Sequence, residues 1–212
     1  MSIDIFSFNN LLLAVVTGYL LGSIPSAYIV SKVRGINIFI IGTGLPGAAN
    51  VYRNVGHKSG AIVFGTDLIK GIIAVFIGTL LGLEEPLTII PGIAAVMGHW
   101  KPIIFSFRGG DGYSTLLGVT FALNPSYMVV AFAIGLLVTI IFILLKQTTS
   151  PSFWGFLTFF SLLFGQNVVF DRDILMSLCI ILIAGCVMVH SAWGYHCRGY
   201  SFRPWQSSIE KI

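Results

Sequence analysis

The sequence predicts an all-α polytopic membrane protein with seven transmembrane helices, its N-terminus outside and its C-terminus cytoplasmic. Three observations carry that expectation. Of the 212 residues, 56% are hydrophobic and 9% charged, against about 25% charge in an average soluble domain, so a water-facing surface cannot be built from them. Apolar runs recur near 10–30, 59–82, 87–105, 125–145, 153–169 and 174–192, each close to the roughly 20 residues that cross a hydrocarbon core as a helix. Finally, with a seventh, short span at 113–123, ten of the twelve Lys and Arg residues fall on one side: Lys32, Arg34, Arg53, Lys58, Lys101, Arg108, Lys146, Arg198, Arg203 and Lys211. Asp4, Glu84, Glu85, Asp171, Arg172 and Asp173 face the other, which is the asymmetry of the positive-inside rule. Six spans would separate Lys101 from Lys146. The net charge of +4 thus reflects topology, and no nucleic-acid partner is expected. No Ser/Pro-rich or charged spacer interrupts the runs, so 1–212 reads as a single integral membrane domain.

Taken in order, the first run keeps Gly18, Gly22, Ser23 and Pro25 and has no cleavage site after a basic leader, so it reads as a retained packing helix. Gly18/Gly22 and Gly78/Gly82 have the spacing of close helix contacts. The next loop, Ile41 to Arg53, holds Gly42, Gly44 and Gly47 with Thr43, Asn50 and Arg53. Glycines free backbone N–H groups to face an anion, and a guanidinium fork suits phosphate or carboxylate. An anion site is preferred here to a plain tight turn. The G-x-G-x-x-G match after the strand-like Ile36–Ile41 is not a dinucleotide fold, because that motif needs a soluble strand-turn-helix unit, whereas a membrane run follows and Pro46 interrupts the turn.

Inside the second span Asp67 and Lys70 lie three residues apart, on one helix face. A lone charge at mid-membrane costs roughly 2.5 to 3.5 kcal/mol, so the two should pair or face a polar cavity. A second polar cluster runs from Gly98-His99-Trp100-Lys101-Pro102 to Phe107-Arg108-Gly109-Gly110-Asp111-Gly112 and ends at a helix start with Ser114 and Thr115. Arg108 supplies countercharge to an anion docked at that start. Asp111 opposes it, and an ion pair of Asp111 with Arg53 or Arg108 is preferred to a repulsive contact. The short span Tyr113–Leu123 rises only about 17 Å and should pack inside the bundle, stopped by Asn124-Pro125. In the last span His190 is a candidate acid/base. His57, His99, His190 and His196 show no ligand spacing, so no metal site is expected. Cys179 and Cys186 share one apolar run, and all three cysteines read as free thiols.

Together these motifs resemble the bacterial acyl-phosphate:glycerol-3-phosphate acyltransferases of phospholipid synthesis. Gly22-Ser23-Ile24-Pro25-Ser26-Ala27-Tyr28 is similar to the family's first-helix signature, and Gly42 to Arg53 to its glycine-rich loop ending Asn-Val-x-Arg. Asp67-Leu68-Ile69-Lys70-Gly71 matches its intramembrane Asp and Lys-Gly, and Phe107 to Gly112 resembles the loop that ends Lys-Gly-Gly-Lys-Gly. The chain departs from the pattern at Thr43 (Ser in the family), Leu45, Pro46, Ala49, Arg108 (Lys), Asp111 (Lys) and Trp193 (Asn expected), while Thr149 and Ser152 can fill a serine loop.

The resemblance implies seven spans in a bacterial cell membrane, a cytoplasm-facing active site, no cofactor, and acyl transfer from acyl phosphate to the 1-hydroxyl of glycerol 3-phosphate, giving lysophosphatidate. Acyl phosphate is already activated, so no Ser-His-Asp or Cys-His nucleophile is required, and none is recognisable. The site must hold two phosphates, orient the hydroxyl and stabilise developing charge. Thr43, Asn50 and His190 are the candidates for the hydroxyl. Gly44, Gly47, Arg53, Lys70, His99, Arg108, Gly109 and Gly110 are the candidates for phosphate, and the acyl tail would lie among membrane lipid and apolar spans. Two other readings fit parts of the pattern: a small transporter or binder of anionic solutes lined by Asp67 and Lys70, and a degenerate, non-catalytic relative. No inverted repeat is visible, and the polar residues crowd one side instead of crossing, which counts against a transport path.

Overall fold

The computed structural model describes residues 5–105, 107–145, 151–169 and 174–197. Every regular element among them is helical: α1 Ile5–Gly22, α2 Ser26–Val33, α3 Ala48–Asn54, α4 His57–Leu80, α5 Ile89–Trp100, α6 Tyr113–Leu123, α7 Pro125–Leu145, α8 Pro151–Val169 and α9 Ile174–Cys197. Asp4, Lys146, Thr149, Asp171, Arg172, Asp173, Arg198, Arg203 and Lys211, on which part of the expected sidedness and serine loop rests, lie outside the described residues. Among the described residues, three apolar helical stretches are long enough to cross a bilayer, 57–80, 174–194 and 8–33, the last made of α1 and α2 together, and shorter apolar helices accompany them.

The chain forms two compact units, divided between Leu123 and Asn124. In the first, α1 packs along α5 and α4 along α6. Small residues set both seams. A Cβ on Gly22 would lie 2.0 Å from the Ala95 carbonyl oxygen, and one on Gly118 1.9 Å from that of Leu68. Gly18 and Gly22 therefore play the packing role their spacing predicts. Gly82 does not: it turns the chain after α4 at φ +78, with nothing near its Cβ position. In the second unit α7 packs along α8, and α8 against α9. Gly155 there meets Gly135 and Thr139, and Phe132 and Phe159 pack edge to face.

Four boundaries differ from expectation, each for a local reason. The first apolar run breaks at Ser23–Pro25 into α1 and α2, because proline removes an amide donor and disfavours helical geometry at Ile24. The third run stops at Trp100 instead of 105, since Pro102 acts in the same way on Lys101. Part of the glycine loop is helical, as α3. Ile36–Ile41 forms turns and no strand, with Ile38 wholly buried beside Ala27, Val51 and Val63; the run is hydrophobic because it plugs the junction of α2, α3 and α4. The short span is found where predicted: α6 ends at Leu123, α7 begins at Pro125, and Leu116, Leu117, Val119 and Thr120 are buried.

Candidate active site

The helix break organises one side of the first unit. At the break the Ile24 carbonyl accepts from Ser26 N at 3.0 Å and from the Lys70 ammonium of α4. The same ammonium donates to Ser26 Oγ at 3.2 Å and Asp67 Oδ1 at 2.7 Å, so its three N–H bonds are all used. Ser26 Oγ donates to Asp67 Oδ1 at 2.5 Å, and His99 Nδ1 lies 3.7 Å from that oxygen. Asp67, Lys70, Ser26 and His99 are all buried. The intramembrane charges thus form the ion pair expected of them.

Against this network lies a small, partly open cleft. The helix break supplies Gly22, Ile24, Pro25, Ser26 and Tyr28; the glycine loop supplies Phe39 and Pro46; the second cluster supplies His99, Pro102, Arg108, Gly109 and Gly110. The irregular Gly109–Gly110 segment lies directly on the end of α5. Gly110 N donates to the His99 carbonyl at 3.1 Å, and a Cβ on Gly109 would meet that carbonyl at 1.9 Å. A Cβ on Gly110 would fall 2.5 Å from His99 Nε2 and 2.7 Å from the Pro46 oxygen, so the two polar loops touch there. Trp100 Nε1 donates to the Asp111 carbonyl at 2.8 Å and closes the loop. Just before Arg108, Phe107 adopts φ +61, a left-handed turn rare for an aromatic residue.

The glycine loop is built otherwise than an open anion cradle. Asn50 is its hub: Nδ2 donates to the Leu45 carbonyl at 2.9 Å and the Ile41 carbonyl at 3.2 Å, while Oδ1 accepts from Thr43 N at 3.3 Å and Asn54 Nδ2 at 2.8 Å. Gly44 N donates to Ile41 O, Gly47 N to Leu45 O, and Leu45 N to Thr43 Oγ1. The N–H groups expected to face an anion are in large part spent inside the loop. Thr43, Gly44, Gly47, Asn50, Arg53 and Lys70 do not line the cleft, whereas His99, Arg108, Gly109 and Gly110 do. Arg53 and Arg108 are exposed, and neither has a carboxylate within 4 Å among the described residues. The preferred pairing of Asp111 with one of them is therefore corrected: the arginine nitrogens stay available to an outside anion. His190 lies half-buried in α9, in the second unit.

A largely apolar cleft with the Arg108 guanidinium on its lining suits an anionic head group. Residues 12–195 match the family model described as "Glycerol-3-phosphate acyltransferase". The chain belongs to this family. Among its relatives, the glycerol-3-phosphate acyltransferase of Thermoanaerobacter sp. (strain X514) is 43% identical over 148 residues, 69% of this chain and 73% of the relative. That of Geotalea daltonii is 31% identical over 182 residues, 83% and 88% of the two chains. The Aquifex aeolicus relative is 39% identical over 126 residues, and the match spans 66% of its length. The fold is similar to the crystal structure of PlsY (YgiH), an integral membrane glycerol 3-phosphate acyltransferase, in its glycerol 3-phosphate form. The TM-score is 0.73 at 29% identity, over 95% of this chain and 99% of that one. The lysophosphatidic acid form gives a TM-score of 0.68 at 30% identity, over 90% and 93%. This family member is thus an integral membrane protein of all-helical fold.

Sequence reasoning passed over Ser26, Tyr28, Phe39 and Pro46 as site residues. Ser26 left one signal, a hydroxyl directly after a proline inside an apolar run, where a broken helix must find polar partners.

Proposed function

We propose that this protein transfers an acyl group from acyl phosphate to the 1-hydroxyl of glycerol 3-phosphate, releasing lysophosphatidate and inorganic phosphate for phospholipid synthesis. Family membership over residues 12–195 carries this reading. The cleft supports it, since Arg108 is free to hold a phosphate at its edge and no nucleophile is needed. In the reaction the hydroxyl oxygen attacks the acyl carbonyl, the carbonyl–phosphate bond breaks, and the hydroxyl proton passes to a phosphate oxygen or a nearby base.

Arg108 and Arg53 take the phosphates, and His99, Gly109 and Gly110 shape the wall against which one is held. Thr43 of the glycine loop orients the hydroxyl. Asn50 contributes by fixing the glycine loop, with Gly44 and Gly47 inside it, because its own amide is already committed. Lys70 acts from behind the wall.

The finer topology belongs to the same proposal: seven spans in one domain of 1–212, N-terminus outside, C-terminus and cleft on the cytoplasmic side of the bacterial cell membrane. α5 has 12 residues and α6 11, each rising under about 20 Å against a core of roughly 30 Å. The irregular segment joining them is thereby drawn into the bundle, which is permitted because it lines a cavity. A polar head group can then meet an acyl chain that remains among apolar helices.

Purified full-length protein given acyl phosphate and glycerol 3-phosphate should release phosphate and form lysophosphatidate in equal amounts. Phosphate release that does not depend on glycerol 3-phosphate would make the protein a hydrolase, and no release at all would favour the degenerate relative.

A further inference from the structure

Two of the four buried groups behind the cleft belong to its wall and two do not. Ser26 and His99 line it, while Asp67 and Lys70 sit one layer back on α4. Asp67 Oδ1 is the shared point. It receives the Ser26 hydroxyl at 2.5 Å and the Lys70 ammonium at 2.7 Å, and it faces His99 Nδ1 at 3.7 Å. Lys70 in turn holds the Ile24 carbonyl, which also lines the cleft. Three groups, two from the α1/α2 break and one from α5, thus converge on one ion pair of α4.

An ion pair that served only to join helices could be exchanged for apolar residues of similar volume without loss, as buried pairs often can. Here that exchange would take the ammonium donor from the Ile24 carbonyl, leaving it Ser26 N alone, both partners from the Ser26 hydroxyl, and the facing charge from the His99 ring. All three belong to the surface against which substrate is placed. We propose that Asp67 and Lys70 are positioning residues of the acyl-transfer cleft, holding the Ile24–Ser26 turn and the His99 ring in register without touching substrate. This rests on the acyltransferase reading above.

The test compares the full-length parent with D67N, K70M and D67N/K70M. Acyl transfer from acyl phosphate, with kcat and the glycerol 3-phosphate KM resolved separately, and the thermal midpoint are measured on the same preparations. Each single change strands or weakens a buried charge and should lower the midpoint. The double variant strands none and should recover most of it. Its kcat should nevertheless stay down by about tenfold or more, since a misplacement of ~1 Å can reduce rate about a hundredfold, while KM moves less than about threefold because no binding group is lost. A double variant with parental midpoint and kcat within about twofold of the parent would reduce the pair to a helix fastener. If the double variant does not fold, K70M decides, because it takes the ammonium donor from the Ile24 carbonyl and from Ser26. An unchanged kcat at a lowered midpoint then overturns the proposal. An inactive parent would overturn the acyltransferase reading instead.

Discussion

Arg108 and Arg53 are cations of the two polar loops whose charge no carboxylate neutralises within the described residues. A charge-assisted hydrogen bond contributes roughly 1.5 to 3 kcal/mol, and about 1.4 kcal/mol is tenfold in a binding constant. Arg108→Ala should therefore reduce kcat/KM about tenfold or more, and Arg53→Ala should raise the glycerol 3-phosphate requirement about tenfold, at equal folded yield. Lys101→Ala, an exposed cation outside the cleft, should change steady-state kinetics less than about twofold. Equal effects at all three positions would show that only overall positive charge matters. Asn50 separates loop structure from chemistry. It is 4% exposed and its side chain bonds Ile38, Ile41, Thr43, Leu45 and Asn54, so Asn50→Ala should lower the thermal midpoint by the equivalent of about 1 to 3 kcal/mol. A large loss of turnover with no loss of midpoint would assign Asn50 a direct part in catalysis.

At the scale of elements, glycine decides where backbones touch. Gly22 faces the Ala95 carbonyl at 2.0 Å from its would-be Cβ, whereas Gly65 of α4 has open space there. Gly22→Val should therefore destabilise by about 1 to 3 kcal/mol or more, since neither backbone can yield. Gly65→Ala should be neutral or stabilise by up to about 1 kcal/mol. Thermal midpoints in one detergent check both, and equal midpoints would contradict the tight seam between α1 and α5. These elements also mark what the sequence made legible. The Gly18/Gly22 spacing, the Asp67/Lys70 pair and the stop at Pro125 act within a few residues and were readable. The break at Pro25 was visible as a proline, but its consequence was not, because the donor that makes it tolerable, Lys70, is 46 residues away from Ile24. The inside of the glycine loop was not readable for the same reason: Asn50 could be seen as a donor, but not that its amide would be committed to Ile41, Leu45 and Asn54. Arg108 was placed in the cleft by its glycine context, yet Ser26 entered it only through the helix break.

For the whole molecule, the strongest constraint is the sidedness of charge. Seven spans with the N-terminus outside collect ten of the twelve Lys and Arg residues on one face, and each basic residue near a helix end resists translocation. The difficulty is α6, whose 11 residues rise about 17 Å. Its burial and the backbone contact at Gly118 answer that difficulty, because a short helix packed against a full-length neighbour need not reach both lipid interfaces by itself. Removing α6 from the count would move Lys101 and Lys146 to opposite sides. Single-cysteine reporters at those positions distinguish the two topologies once Cys179, Cys186 and Cys197 have been replaced. With seven spans, Lys101→Cys and Lys146→Cys are both silent to an impermeant thiol reagent in intact cells and both react after permeabilisation, whereas Glu84→Cys reacts in intact cells. Reaction of Lys146→Cys in intact cells, with Lys101→Cys still protected, would reduce α6 to a buried segment that does not cross. The C-terminal half would then lie inverted, with its basic residues outside against the positive-inside rule.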